Sequence, residues 1–234
     1  AKHLKTYMLS GGFPAYLQGE PDDYISALYK SIIYSDVLQR NNITNGREVL
    51  ELMHFLASNA AKRHSYASLA IVIVVKHSDT VKHYIQCVEE TYLLSQLLKY
   101  NASVKTQEAS IKKIYLIDNA IIRLVGFNPT DNLGPLLENL ICVELKRRGK
   151  DIFYHANGSE CDFIVRTGTR ITQCIQVTIS LADESTRKRE VAGLASAAKT
   201  YGTTDNTIIT LDDDRISVED NNIRIVPAWR WLLE

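Results

Sequence analysis

The sequence predicts a mixed chain of the α+β and α/β classes, in which three helices closed by a strand pair precede an αβββαβ run. Three observations predict it. Residues 48–92 repeat apolar side chains at helical spacing, whereas 93–100 and 112–117 alternate loosely as strands do. Pro129 and Gly134-Pro135 break the chain. Beyond that break come a helical pattern, three strand-like runs, a second helix and another strand. With 234 residues, 45% hydrophobic and 23% charged, the chain has globular composition and can fill one or two cores.

Residues 1–46 read as a helical connector. After the turn at Gly11-Gly12-Phe13-Pro14, Tyr24 to Arg40 carries Ile25, Leu28, Tyr29, Ile32 and Ile33 on one greasy face, and Asn41-Asn42 and Asn45-Gly46 end it. Residues 47–125 form the next block. Its first helix runs from Glu48 to Ala61, with Val49, Leu52, Met53 and Leu56 in register. Ser65 is placed to cap a second helix through Leu69 and Ala70, and Ser78 a third through Val81, Tyr84, Ile85 and Val88. Strands at Leu93–Tyr100 and Lys112–Ile117 flank the polar stretch 101–110, as in a hairpin with a long loop. This is the order of a winged helix-turn-helix. The β-branched run Ile71 to Val75 cuts across it, because locally it reads as a strand.

Residues 126–234 form the last block. A helix from Leu136 to Arg148 leads into strands at 152–155, 161–167 and 171–179. A helix at 185–201, a strand at 206–211 and a final apolar run at 223–231 follow. Asp212-Asp213-Asp214 reads as a solvated turn.

Charge separates the middle block from the rest. The 27 Lys and Arg balance 27 Asp and Glu over the chain, yet residues 62–113 hold eight basic side chains against four acids, with His64, His77 and His83 alongside. Phosphate-facing cations supply most DNA affinity, so this local excess points to double-stranded DNA. Outside the core stripe of the third helix, Ser78, Thr80, Lys82, His83 and Gln86 are the candidate contacts, joined by Lys105, Lys112 and Lys113 on the wing. Lys82 and Gln86 have the chemistry to read guanine and adenine. Asp79, Glu89 and Glu90 would repel phosphate, which keeps a protein-binding role open.

In the last block Glu138 falls on the stripe of Ile141, Cys142 and Leu145, where a carboxylate needs a partner. Glu160 and Asp162 share a strand face, and Cys174, Gln176 and Thr178 share a face of the next. An acid on the first helix, an acid on the second strand and polar residues on the third match the restriction-endonuclease-like PD-(D/E)xK core, in which two carboxylates hold Mg²⁺ and a lysine helps activate water. Glu138, Asp162 and Gln176 are therefore the candidate catalytic and metal-binding residues. Gln176 brings no charge to such a site, and Thr178 cannot replace the lysine. The expectation is a nuclease-like fold that does not cut, with migrated groups among Arg187, Lys188, Arg189 and Glu190 as the alternative.

Over nearly its whole length the chain resembles the C-terminal region of a family of bacterial and archaeal AAA-type ATPases, in which the motor precedes a conserved domain of unknown function. The resemblance is carried by Gly11-Gly12-Phe13-Pro14, Asp36 to Ile43 (D-x-x-x-R-x-x-I), Ser65 to Ala70, Thr80-Val81-x-x-Tyr84-Ile85 and Lys113-x-Tyr115-x-x-Asp118. Further on it rests on Glu138-Asn139, Glu144-Leu145, Glu160-x-Asp162-Phe163, Gln176-Val177, Thr186-x-x-Arg189-Glu190 and Pro227-Ala228-Trp229. It implies a winged helix followed by a nuclease-like domain, with ATP bound only by an upstream domain. Such members commonly end the second helix with glycine, where this chain has Val74. The chain itself has no G-x-x-x-x-G-K-[ST].

The functional expectation is a DNA-binding or substrate-recognition region of an AAA-type ATPase, with an ATPase core in the same polypeptide as partner. An Mg²⁺-dependent DNase and a protein-interaction module that regulates the ATPase are the alternatives, and an oligomer is compatible with either. The four cysteines, without a C-x-x-C pair, read as reduced core residues of a cytoplasmic protein. The longest apolar run, Leu69–Val75, falls far short of the roughly 20 residues of a membrane span. The start at Ala1, without a signal peptide, reads as a piece of something longer.

Overall fold

The computed structural model describes residues 2–21, 23–126, 132–212 and 222–234. The break expected at Pro129 and the turn residues Asp213 and Asp214 lie outside the described residues. In chain order the elements begin with α1 (Lys2–Ser10), α2 (Pro14–Leu17) and α3 (Asp23–Ser31), which a π-helix continues (Ile32–Gln39). Then come α4 (Gly46–Ser58), β1 (Arg63–His64), α5 (Tyr66–Val72), α6 (Ser78–Glu89), β2 (Leu94–Leu98), α7 (Val104–Ala109), β3 (Lys112–Leu116) and α8 (Asn119–Val125). The rest are α9 (Gly134–Arg147), β4 (Asp151–Asn157), β5 (Ser159–Thr167), β6 (Arg170–Thr178), α10 (Glu184–Tyr201), β7 (Asp205–Thr210), β8 (Ile223–Pro227) and α11 (Ala228–Trp231). The architecture is α+β with two sheets, ordered β1-β3-β2 and β4-β5-β6-β7-β8. Two compact units result, one of residues 6–96 and 111–132, the other of 1–5, 97–110 and 133–234.

In the first unit α4 buries Val49, Leu52, Met53 and Leu56, the stripe that its spacing predicts. Helices α5 and α6 pack on each other, and α8 packs on α4 and α3. The helix expected over Tyr24–Arg40 widens at Ile32: Arg40 N donates to Ser35 O at 3.2 Å and Ile43 N to Leu38 O at 2.9 Å, both five residues back. Ser65 caps α5 as expected, in a reciprocal box with Ser68 (Ser68 N to Ser65 Oγ 3.0 Å, Ser65 N to Ser68 Oγ 3.1 Å). The β-branched run is split, with Ile71 and Val72 closing α5 and the remainder forming the turn. Ser78 is the first helical residue of α6 rather than its cap; that place falls to His77, which makes no side-chain cap bond.

The opening motif is tied down in the same unit. Gly12 N donates to Asp118 Oδ2 at 2.7 Å, and Asp118 Oδ1 caps α8 by accepting from Ala120 N at 2.7 Å. Asn119 Nδ2 and Arg123 Nη1 donate to Met8 O and Leu9 O, which satisfies the last carbonyls of α1. Two sequence features of the resemblance, the Gly-Gly pair and Asp118, are thus one contact spanning 106 residues.

The second unit carries a mixed sheet, antiparallel through β4-β5-β6 and parallel through β6-β7-β8. Its order, α9-β4-β5-β6-α10-β7, is the αβββαβ run, to which β8 and α11 add the last apolar stretch. The crossover helix α10 covers one face, packing Leu194 and Ala197 on Cys161, Ile164, Cys174 and Ile208. Helix α9 packs on β4 and β6, and α11 on β7 and β8. The polar stretch 101–110 is not an open loop: Ser103 caps α7, with Thr106 N donating to its Oγ at 3.4 Å. All four cysteines are buried and free of disulfides. Among the described residues no helix is long and apolar enough to cross a membrane.

Candidate functional site

Helix α6 sorts its residues by period. Val81, Tyr84, Ile85 and Val88 face the core, while Ser78, Lys82, His83 and Gln86 are exposed and Thr80 is half-buried. Tyr84 OH donates to Glu48 Oε2 at 2.7 Å and so fixes the helix against α4. Burial first, then this carboxylate, pushes the Tyr84 hydroxyl up to about 12, and it stays protonated at physiological pH. The exposed His83 ring rests 3.7 Å from the Cys87 sulfur. Asp79 and Glu90 are exposed on the same helix, so its outer surface carries both signs.

The wing lysines need correction. Lys112 and Lys113 are only 4% and 2% exposed, and neither faces outward to a phosphate. The strand that holds them, β3, is the middle strand of its sheet, and all five of its residues are buried. The Lys112 ammonium lies 4.7 Å from the Tyr66 ring centroid, a cation–π contact. Lys105 is exposed on α7, in the other unit. The cationic candidates left beside α6 are Lys76 and Lys82, with His77 and His83.

Asp162 and Gln176 do come together. The antiparallel register pairing Phe163 with Ile175 sets Asp162 opposite Gln176. Asp162 N donates to Gln176 Oε1 at 3.2 Å, and Val177 N donates to Asp162 Oδ2 at 3.0 Å. Gln176 Nε2 donates to Glu190 Oε2 at 2.5 Å, while Arg189 Nη2 donates to Glu190 Oε1 at 2.6 Å. Gly193, three residues beyond Glu190, lets α10 approach this closely, because a Cβ there would lie 2.0 Å from Glu160 O. Glu138 is half-buried on α9. Thr178 is buried, and its Oγ1 donates to Ser180 O at 3.3 Å.

As they stand here, Gln176 and Asp162 are poorly set to hold Mg²⁺, because Gln176 is neutral and both side chains already accept backbone amides. A hard cation needs several free carboxylate or carbonyl oxygens. Here the Gln176 oxygen takes the Asp162 amide, one Asp162 oxygen takes the Val177 amide, and both Glu190 oxygens take side-chain donors. Among the described residues no three His, Cys, Asp or Glu side chains are grouped to hold a metal ion. What the arrangement does chemically is bind two strands and a helix through buried polar groups that satisfy one another.

The sequence reading missed a second buried polar group. His155 Nδ1 lies 2.9 Å from Tyr201 OH and its Nε2 3.3 Å from Ser196 Oγ. Burial, reinforced by Lys99, lowers the His155 pKa, so the imidazole is neutral. Residues 155, 196 and 201 share no local motif, and only the packing of α10 on the sheet brings them together.

The family model for a domain of unknown function, DUF8612, matches residues 1–131. The uncharacterized protein MJ1544 of Methanocaldococcus jannaschii is 30% identical over 253 aligned residues, which cover 99% of this chain and 56% of that protein. An uncharacterized protein of Haemophilus influenzae is 24% identical over 192 residues, covering 79% of this chain and 48% of that one. The chain spans about half the length of these curated relatives.

Proposed function

The chain belongs to the DUF8612 family, and from that premise we propose that it is the DNA-binding or substrate-recognition region of an AAA-type ATPase, with the motor in the part of its relatives that it does not span. One observation carries the reading. Helices α4, α5 and α6 and the three-stranded sheet follow the order of a winged helix-turn-helix, and α6 presents Lys82, His83 and Gln86 to solvent. The αβββαβ order of the second unit supports a nuclease-like domain, and the engaged Asp162–Gln176–Glu190 network supports one that does not cut. The mixed charge of α6, with Asp79 and Glu90 exposed, favours the second reading of a protein-interaction module.

A salt titration of duplex binding tests the proposal. With Lys112 and Lys113 buried, phosphate contacts through about three exposed lysines, Lys76, Lys82 and Lys105, would make log K fall against log[salt] with a slope of roughly −2.7. No detectable duplex binding at about 50 mM salt would remove the DNA reading and leave the protein-interaction module. Incubating plasmid and single strands with Mg²⁺ or Mn²⁺ tests the rival enzyme. Cleavage that disappears in Asp162→Ala would establish a DNase and overturn the non-cutting reading. A P-loop encoded upstream of the segment would support the motor.

A further inference from the structure

Helix α5 ends in a turn that few L-residues adopt cheaply. Val75 N donates to Ala70 O at 2.9 Å and Val74 N to Ile71 O at 3.3 Å, the paired bonds of a Schellman closure. That closure requires a left-handed residue, usually glycine, and here it is the β-branched Val74 at φ +56°. The side chain gives the core nothing in return: Val74 is 87% exposed, Ile71 one turn earlier is 80% exposed, and Val72 is exposed beside them. Strain kept at an exposed apolar residue points to a role outside the fold.

The surroundings restrict what this tip can meet. Lys76, His77, Lys82 and His83 are exposed on the turn and on α6, with Asp79 as the acid among them. Two lysines against one aspartate, with two imidazoles able to donate hydrogen bonds, make a rim around the apolar tip that suits an anion also offering an apolar feature. Three aliphatic side chains fall well short of the roughly 800 Å² per partner that a stable protein interface needs. In the major groove of duplex DNA, phosphates flank the base edges, and the apolar group on those edges is the thymine methyl. The turn leads directly into the N-terminus of α6, the end that a recognition helix brings to the bases.

We propose that Ile71 and Val74 form an apolar tip that reads thymine methyl groups beside the base contacts of α6. This rests on the DNA-binding reading above and supplies it with a base preference. Covering one methyl is worth about fourfold in affinity.

The experiment uses the full chain and two duplex pools of the same random sequences, one with thymine and one with deoxyuridine at every thymine position. Fluorescence anisotropy should show the thymine pool bound at least about fourfold more tightly. Val74→Gly and Ile71→Ser should bind both pools at the uracil-level affinity, with the salt slope unchanged. Val74→Gly removes the strained conformation, so it should melt no lower than the native chain and serves as the folding control. Equal binding of the two pools by the native chain overturns the inference while leaving DNA binding intact. So does discrimination that survives in both variants. Absence of any duplex binding instead removes the underlying DNA reading. A concentration-dependent dimer in sedimentation that Ile71→Ser dissolves assigns the tip to a second copy of the chain and also overturns the inference.

Discussion

Gly11→Ala should be among the most damaging single-methyl changes in the first unit. Gly11 has φ +78°, and a Cβ there would lie 2.0 Å from Asp118 Oδ1 and 2.7 Å from the Ala120 Cβ. The left-handed conformation alone costs an L-residue about 1–2 kcal/mol. The methyl also displaces the carboxylate that caps α8, worth about 1 kcal/mol, and breaks the bond that holds Gly12 N, worth another ~1 kcal/mol. The expected loss is therefore about 3–4 kcal/mol. Both tryptophans, Trp229 and Trp231, belong to the other unit, so urea unfolding can be followed on two probes. Far-UV circular dichroism should show a transition moved to clearly lower urea, while the tryptophan fluorescence midpoint moves less. A loss no greater than about 2 kcal/mol on the circular dichroism probe would refute the clamp, since the left-handed backbone alone accounts for that much.

The remaining predictions concern charge and burial. Lys113→Ala should lower the melting temperature and leave the salt slope of duplex binding unchanged, whereas Lys82→Ala should flatten that slope by about 0.9 without loss of stability. Gln176→Leu strands the Glu190 carboxylate and the Asp162 amide, and should cost about 2–4 kcal/mol in chemical denaturation; Glu190→Gln, which puts a donor amide where one of two accepting oxygens stood, should also destabilise. His155 gives a pH dependence. Its folded-state pKa lies below the unfolded value of about 6.5, so the unfolded chain takes up more protons as pH falls. The stability it contributes is present above that pH and is lost as pH drops through and below it, and His155→Gln should flatten the acid limb of a plot of melting temperature against pH.

Which features could be read in advance follows from how far apart the interacting residues lie. Ser65 and Ser68 are neighbours on one turn, so the cap of α5 was visible in four residues, and the stripes of α4 and α6 were visible in their periods. The π-register from Ile32 to Gln39 was not, because eight residues make fewer than two turns and the apolar spacing fits either winding. Lys112 and Lys113 mark a harder limit. By the period of two Lys112 and Lys113 point to opposite faces of β3, yet both are buried, so what packs on each face, and not the strand's own pattern, decided their burial. The candidate acids show both sides of this limit. Alternation set Asp162 and Gln176 on facing strands, which the register confirms. What the period could not show was Glu190, which reaches the pair because Gly193 admits its helix to the sheet. Once that carboxylate is in place, a glutamine at position 176 ceases to be a missing acid. A second carboxylate there would set two buried like charges against each other, whereas the amide donates to Glu190 and accepts from the strand. The neutral residue is therefore the one that the buried network requires.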